Sequence, residues 1–187
     1  MEIMQDSTVI TMFVCANCAR SGKEFTSAGH ARPKAPDFNL PGRLQSVIVP
    51  CTGRLQPEHI LKAFESGSSV VSVVACQEGN CHYAEGSRRC AVRVEYLRAI
   101  LKEIGLGEGR LLLSYLPGSA SEDLAVAAGK SAGDSKDASL KAALAGVREL
   151  VVEALRIYPP NPLRLSGAAE EELIEEELVF GEDDSDE

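Results

Sequence analysis

Residues 69–76 read S-V-V-S-V-V-A-C, a run that is apolar or β-branched at most positions and ends on Cys76. A strand with one solvated face alternates apolar and polar side chains, whereas a strand covered on both faces stays apolar. The run therefore predicts an inner strand of a parallel sheet with helices on either side. Two more runs share its form: Ser7 to Val14 leads into Cys15, and Leu44 to Pro50 leads into Cys51. In an open α/β sheet, ligands sit outside the carboxyl ends of the strands, so these three thiols are expected along one edge. Cys18 and Cys81 follow closely in the chain and belong to loops of the same edge.

Between and beyond these runs the apolar spacing changes to that of helices. Pro57 stands where a helix starts, with Ile60, Leu61 and Phe64 as its inner stripe and Gly67 as its stop. From Ser87, the positions Val92, Tyr96 and Ile100, with Leu97, Leu101 and Ile104, mark a second helix closed by Gly105. Arg110 to Leu116 predicts a fourth strand. Ala138 to Tyr158 predicts a last helix, its stripe made by Leu140, Leu144, Val147, Val151 and Ala154 and its end by Pro159-Pro160. Ala16 to Phe25 reads as a loop or short helix, Thr26 to Pro41 as a loop, and Ser119 to Asp137 as a short helix from Ser121 followed by a loose connection. The expected fold class is α/β, a three-layer sandwich on a mostly parallel sheet of about four strands with the cysteines at its C-terminal strand edge. Residues 1–158 form the folded domain in this reading, and 159–187 a Pro-containing linker and acidic tail.

A chain of 187 residues at 44% hydrophobic buries a sufficient core without covalent or metal staples, so the cysteines call for another explanation. The N-terminus carries Glu2 and Asp6 and no basic segment, unlike a secretory signal, and no run approaches the ~20 apolar residues of a membrane helix. A reducing cytoplasm is the expected compartment, where clustered cysteines mean metal or redox chemistry more often than disulfides. The net charge of −9 is concentrated: residues 168–187 hold eleven acidic side chains and no basic one, leaving 17 acidic against 19 basic elsewhere. Such a block is ordinarily a solvated extension. The sharper alternative is a tail that docks on a basic partner, aided by Leu173/Ile174 and Leu178/Val179. No basic stripe with interleaved aromatics occurs, which argues against nucleic acid as a partner. Nor is there a Gly-rich dinucleotide fingerprint, a phosphate loop or a Ser/His/Asp arrangement, which argues against independent catalysis.

The thiols carry the chemistry. Cys15-Ala-Asn-Cys18 is a C-x2-C pair, a spacing shared by zinc sites, thioredoxin-like redox pairs and iron–sulfur sites. Cys76-Gln-Glu-Gly-Asn-Cys81 is a C-x4-C pair, a spacing found in plant-type [2Fe–2S] proteins, with Gly79 available for a tight turn. A zinc ribbon would pair two C-x2-C knuckles, and this chain has one. The candidate metal ligands are accordingly Cys15, Cys18, Cys51, Cys76 and Cys81. Helix N-termini at the same edge would favour an anionic cluster, and Arg54, just after Cys51, would add positive charge. Cys90 reads as a small buried residue, His82 as a hydrogen-bonding or contact group, Tyr83 as packing or interface, and His30 and His59 as surface residues. Three function classes stay open: an electron-transfer protein with an iron–sulfur centre that works within a complex, a zinc-stabilised structural component, and a thiol–disulfide protein using Cys15 and Cys18.

Cys15-x2-Cys18, Cys51-Thr-Gly-Arg54, Cys76-x4-Cys81-His82-Tyr83-x2-Gly86 and the following Arg88 and Arg93-Val94 resemble the delta subunit of methyl-viologen-reducing hydrogenase over roughly residues 8–157. Departures from that pattern are Ala75, where the family has Gly, Ser87, where it has Asn, the additional Cys90 and the acidic tail. The resemblance implies a [2Fe–2S] protein relaying electrons between a hydrogenase, a formate dehydrogenase or a similar donor and a flavin-containing subunit like that of heterodisulfide reductase. It implies membership of a multi-subunit, electron-bifurcating type of complex. Related subunits also occur in class II benzoyl-coenzyme A reductase complexes.

Overall fold

A computed structural model describes residues 8–17, 23–25, 31–33, 35–116 and 132–164. In chain order it contains β1 (Val9–Cys15), β2 (Lys23–Phe25), β3 (Ala31–Pro33), β4 (Arg43–Val49), α1 (Pro57–Glu65), β5 (Val70–Cys76), α2 (Gly86–Glu103), β6 (Leu111–Leu116) and α3 (Ala132–Ile157). Four strands form one parallel sheet in the order β4-β1-β5-β6. Every residue of β1 and β5 is buried, as their continuous apolar runs require, while β4 is a half-exposed edge strand.

The sheet separates two apolar layers. On one side Ile10, Met12, Val14, Val70 and Val74 pack with Phe38 and with Val147, Val151 and Ala154 of α3. On the other, Phe13, Val71 and Val73 meet Ile60 and Phe64 of α1 and Val94, Leu97 and Leu101 of α2. Each such side chain contributes about 1.5–3 kcal/mol by leaving water. The architecture is the expected three-layer α/β sandwich.

Three details differ from the sequence reading. Val92 and Tyr96 are 66% and 62% exposed, and the inner stripe of α2 is Cys90, Val94, Leu97 and Leu101. The reason is helical geometry: steps of four residues drift about 40° each around a helix, whereas alternating steps of four and three stay on one face. The segment read as loop between Ala16 and Pro41 contains the antiparallel pair β2–β3, with Glu24 opposite Arg32; strands this short show no alternation to read. Helix α3 begins at Ala132 rather than Ala138, across an A-G-D-S segment without apolar periodicity. The short helix expected from Ser121 lies outside the described residues.

At the amino ends of the strands, buried polar groups close the fold. Arg110 is 2% exposed and donates from Nε to the Leu106 carbonyl at 2.8 Å and from Nη1 to the Ser69 carbonyl at 2.9 Å. Its guanidinium lies 5.1 Å from the centre of the Tyr158 ring. Beyond α3 the chain turns back: buried Asn161 donates from Nδ2 to the carbonyls of Phe64 at 2.7 Å and Ser68 at 2.8 Å. No helix among the described residues is long and apolar enough to cross a membrane.

Candidate metal centre

The chain leaves β1 for β4 on one side and later returns through β5 on the other, so the sheet order reverses between β1 and β5. A crevice forms at the carboxyl end of such a reversal. Cys15 and Cys76, the last residues of these two strands, meet there with their sulfurs 3.7 Å apart. The next loop is tied to the same place. Ala16 N–H donates to the Val49 carbonyl at 2.8 Å, and Asn17, inside the C-x2-C segment, donates from Nδ2 to the Pro50 carbonyl at 3.2 Å.

Cys51 follows Pro50 and opens a single 3₁₀ turn, Thr52–Arg54, with its sulfur accepting the Gly53 N–H at 3.4 Å. Cys81 comes from the loop between β5 and α2, where Gly79 takes φ +82°, the left-handed conformation anticipated for the turn. The Cys51 and Cys81 sulfurs are neighbours. Both lie against Gly86, the first residue of α2: a Cβ there would collide with the Cys51 sulfur and stand 3.0 Å from that of Cys81. Gly53 faces Gly86 equally closely, its own Cβ position being 2.6 Å from the Gly86 Cα. The two glycines thus let the turn, the loop and the helix end converge without side chains between them.

Cys15, Cys51, Cys76 and Cys81 are buried thiols of one apolar layer, whereas Cys90 belongs to the other. Among the described residues the four meet two by two, and no three His, Cys, Asp or Glu side chains are grouped to hold a single metal ion. Cys18 lies outside the described residues. Burial pushes the Cys51 thiol up; the Gly53 N–H opposes this, and the Cys81 and Cys15 thiols push it up further. A thiolate in this setting needs a compensating cation. The hydroxyl of Ser87, directly after Gly86, is buried with no hydrogen-bond partner among the described residues.

Arg54 is the cation anticipated beside Cys51. Arg54 is exposed, and the guanidinium behind the Cys51 turn is that of Arg93, which donates from Nη1 to the Gly53 carbonyl and, at 3.0 Å, to the Leu55 carbonyl. The thiol of Cys90 lies beside Thr52 of the same turn. His59 is a helix cap, its Nδ1 accepting the Gln56 N–H at 3.0 Å at the start of α1. His82 is exposed and meets Tyr83 edge-on with ring centres 5.0 Å apart, and His30 lies outside the described residues. Spacing along the chain marks the thiols, and Thr52 and Gly53 stand in the Cys51-Thr-Gly-Arg54 motif; the contacts that they and Asn17 make carry no spacing signal.

The sequence profile of the family described as methyl-viologen-reducing hydrogenase, delta subunit, matches residues 10–132. That span includes every cysteine named above but ends at the start of α3, short of the residue 157 suggested by the motifs. The iron-sulfur subunit of an F420-non-reducing hydrogenase from Methanopyrus kandleri is 32% identical over 127 residues, which is 68% of this chain and 90% of the relative. Its counterpart in Archaeoglobus profundus is 37% identical over 82 residues, 44% of this chain and 60% of the relative. A chain of the ferredoxin/F420H2-dependent CoB-CoM heterodisulfide reductase of Methanosarcina acetivorans is 27% identical over 113 residues, 60% of this chain but 13% of that longer protein.

Proposed function

Since the chain belongs to the family of methyl-viologen-reducing hydrogenase delta subunits, we propose that it is the [2Fe–2S] electron-transfer subunit of a cytoplasmic oxidoreductase complex. The observation that carries this reading is the meeting of two buried thiol pairs, Cys15/Cys76 and Cys51/Cys81, at the switch point of the sheet. A [2Fe–2S] centre takes four cysteines, two for each iron. A structural zinc ion instead needs four donors around one point. The donor set fits the cluster: thiols in pairs, a glycine pair where side chains would intrude, and a buried hydroxyl at Ser87 able to donate.

From the candidates Cys15, Cys18, Cys51, Cys76 and Cys81, we assign the ligands as Cys15, Cys51, Cys76 and Cys81. When bound, the cluster supplies one-electron transfer. The chain's part is to hold the thiols, to offer the Gly53 N–H to the Cys51 sulfur and to keep water from the sulfurs, which are at most 9% exposed as residues. The natural electron acceptor is a flavin-containing subunit of the heterodisulfide reductase type, because the relative from Methanosarcina acetivorans carries the matching stretch within a heterodisulfide reductase chain. A hydrogenase, a formate dehydrogenase or another redox module is the donor, and electron bifurcation belongs to the flavin partner. Residues 1–158 constitute the cluster domain, extended by Asn161 where it packs on α1, and the acidic segment is an appendage to it.

Anaerobically purified protein should contain about two iron and two acid-labile sulfide per chain and show visible absorption that bleaches with dithionite. Cys15→Ser, Cys51→Ser, Cys76→Ser and Cys81→Ser should each abolish or alter that spectrum, and Cys18→Ser should leave it. Stoichiometric zinc without sulfide would overturn the function. An unaltered spectrum in Cys81→Ser would overturn the ligand set.

A further inference from the structure

Gly86, Cys90 and Arg93 stand four and three residues apart on α2, and all three address the Cys51 turn. Gly86 packs on Gly53, Cys90 lies beside Thr52, and Arg93 holds the carbonyls of Gly53 and Leu55. The last contact differs in kind, since it places a guanidinium in a partly buried position that an apolar side chain of similar length would also fill. Buried charge is a poor source of stability compared with such a replacement, so packing alone does not call for arginine. Its planar fork suits two neighbouring carbonyls, and its charge is permanent. The charge is felt at Cys90, one turn back on the same helix, where Arg93 opposes the burial that pushes the thiol up.

We propose that Arg93 is a positioning residue of the redox site, clamping the turn that presents the Gly53 N–H to the Cys51 sulfur and raising the reduction potential with its charge. The inference rests on the iron–sulfur reading above. Reduction adds one negative charge to the site. A fixed N–H donor and a nearby cation both stabilise that state, and hydrogen bonds to the sulfurs are among the main determinants of cluster potential.

The test compares Arg93→Met, Arg93→Lys and Arg89→Met in the full chain, Arg89 being an exposed residue of the same helix. Iron and sulfide content, the midpoint potential and amide exchange across residues 51–55 are measured in each. In Arg93→Met the cluster should be retained while the ratio of reduced to oxidised protein at the wild-type midpoint falls about tenfold, equivalent to about 59 mV for a one-electron couple. Arg93→Lys should recover part of that shift, Arg89→Met should show none, and exchange across 51–55 should rise only in the Arg93 variants. An unchanged potential in Arg93→Met, or an equal shift in Arg89→Met, would overturn the proposal. Loss of the fold in both Arg93 variants would also overturn it, by assigning the residue to stability alone. If the wild-type chain lacks iron and sulfide, the functional reading fails by itself; unchanged exchange across 51–55 in Arg93→Met would then refute the clamp as well.

Discussion

A single methyl group distinguishes alanine from glycine at position 86, and in an ordinary helix it would add up to about 1 kcal/mol of stability. Here it would press on the Cys51 and Cys81 sulfurs, and over-packing of this kind costs about 1–3 kcal/mol. Gly86→Ala should therefore lower the iron and sulfide content strongly, and thermal unfolding should show no gain in stability. Cys90, on the other side of the sheet, behaves differently. Burial pushes its thiol up to about 11, with neighbouring Thr52 and Arg93 in partial opposition and the Cys51 and Cys15 thiols adding to the rise. A raised folded-state value means that the stabilisation is complete below about pH 8.5, where the unfolded thiol is also protonated, and is lost as pH climbs toward 11. Relative to Cys90→Ala, the wild-type chain should thus lose up to about 3 kcal/mol in urea unfolding between pH 8.5 and 11. Parallel alkaline limbs in the two proteins would refute this assignment. At neutral pH, Cys90→Ala should keep the cluster spectrum.

Helix α1 ends at Glu65, and two of the carbonyls that follow its inner face, those of Phe64 and Ser68, are satisfied by the distant side chain of Asn161. Helix ends leave carbonyls unpaired unless something else supplies donors. Asn161→Ala would strand the Ser68 carbonyl in a buried site, Phe64 keeping the Gly67 N–H at 3.0 Å, at about 1–3 kcal/mol, which for a chain of this size lowers the melting temperature by about 2–4 °C per kcal/mol. Cluster content should be unaffected, because this contact lies at the amino end of β5 and the thiols at the carboxyl end. A cluster lost along with Asn161 would show that the two edges are coupled. Among the elements, β1 and β5 are readable in the sequence because burial on both faces leaves a continuous apolar run. Helix α2 is readable as a helix but not in its rotation, since Val92-Tyr96-Ile100 and Cys90-Val94-Leu97-Leu101 both look like stripes until the sheet selects one.

Across the whole molecule, charge and fold are separable. Residues 168–187 carry eleven acidic groups and no basic one, the composition of a solvated extension, so removing them should leave iron content and the melting temperature unchanged. If they dock on a basic partner, truncation before residue 168 should weaken assembly at low salt and matter little at physiological ionic strength, where exposed charges are screened over about 8 Å. Equal assembly at low salt with and without them would exclude docking. The amino-acid sequence by itself determined the α/β class, the strands that end on thiols, and the family motifs around them, because burial patterns and ligand spacings are local properties of a chain. Tertiary structure alone decided which thiols meet, since Cys15 and Cys76 are 61 residues apart and become neighbours only through the order of strands in the sheet. It likewise decided that Arg93 reaches the Cys51 turn, where it bonds the Gly53 carbonyl across a separation of 40 residues. An exposed arginine beside a ligand and a half-buried one across the fold look alike in one dimension; only packing, which removes water from one and leaves it around the other, makes their electrostatics differ.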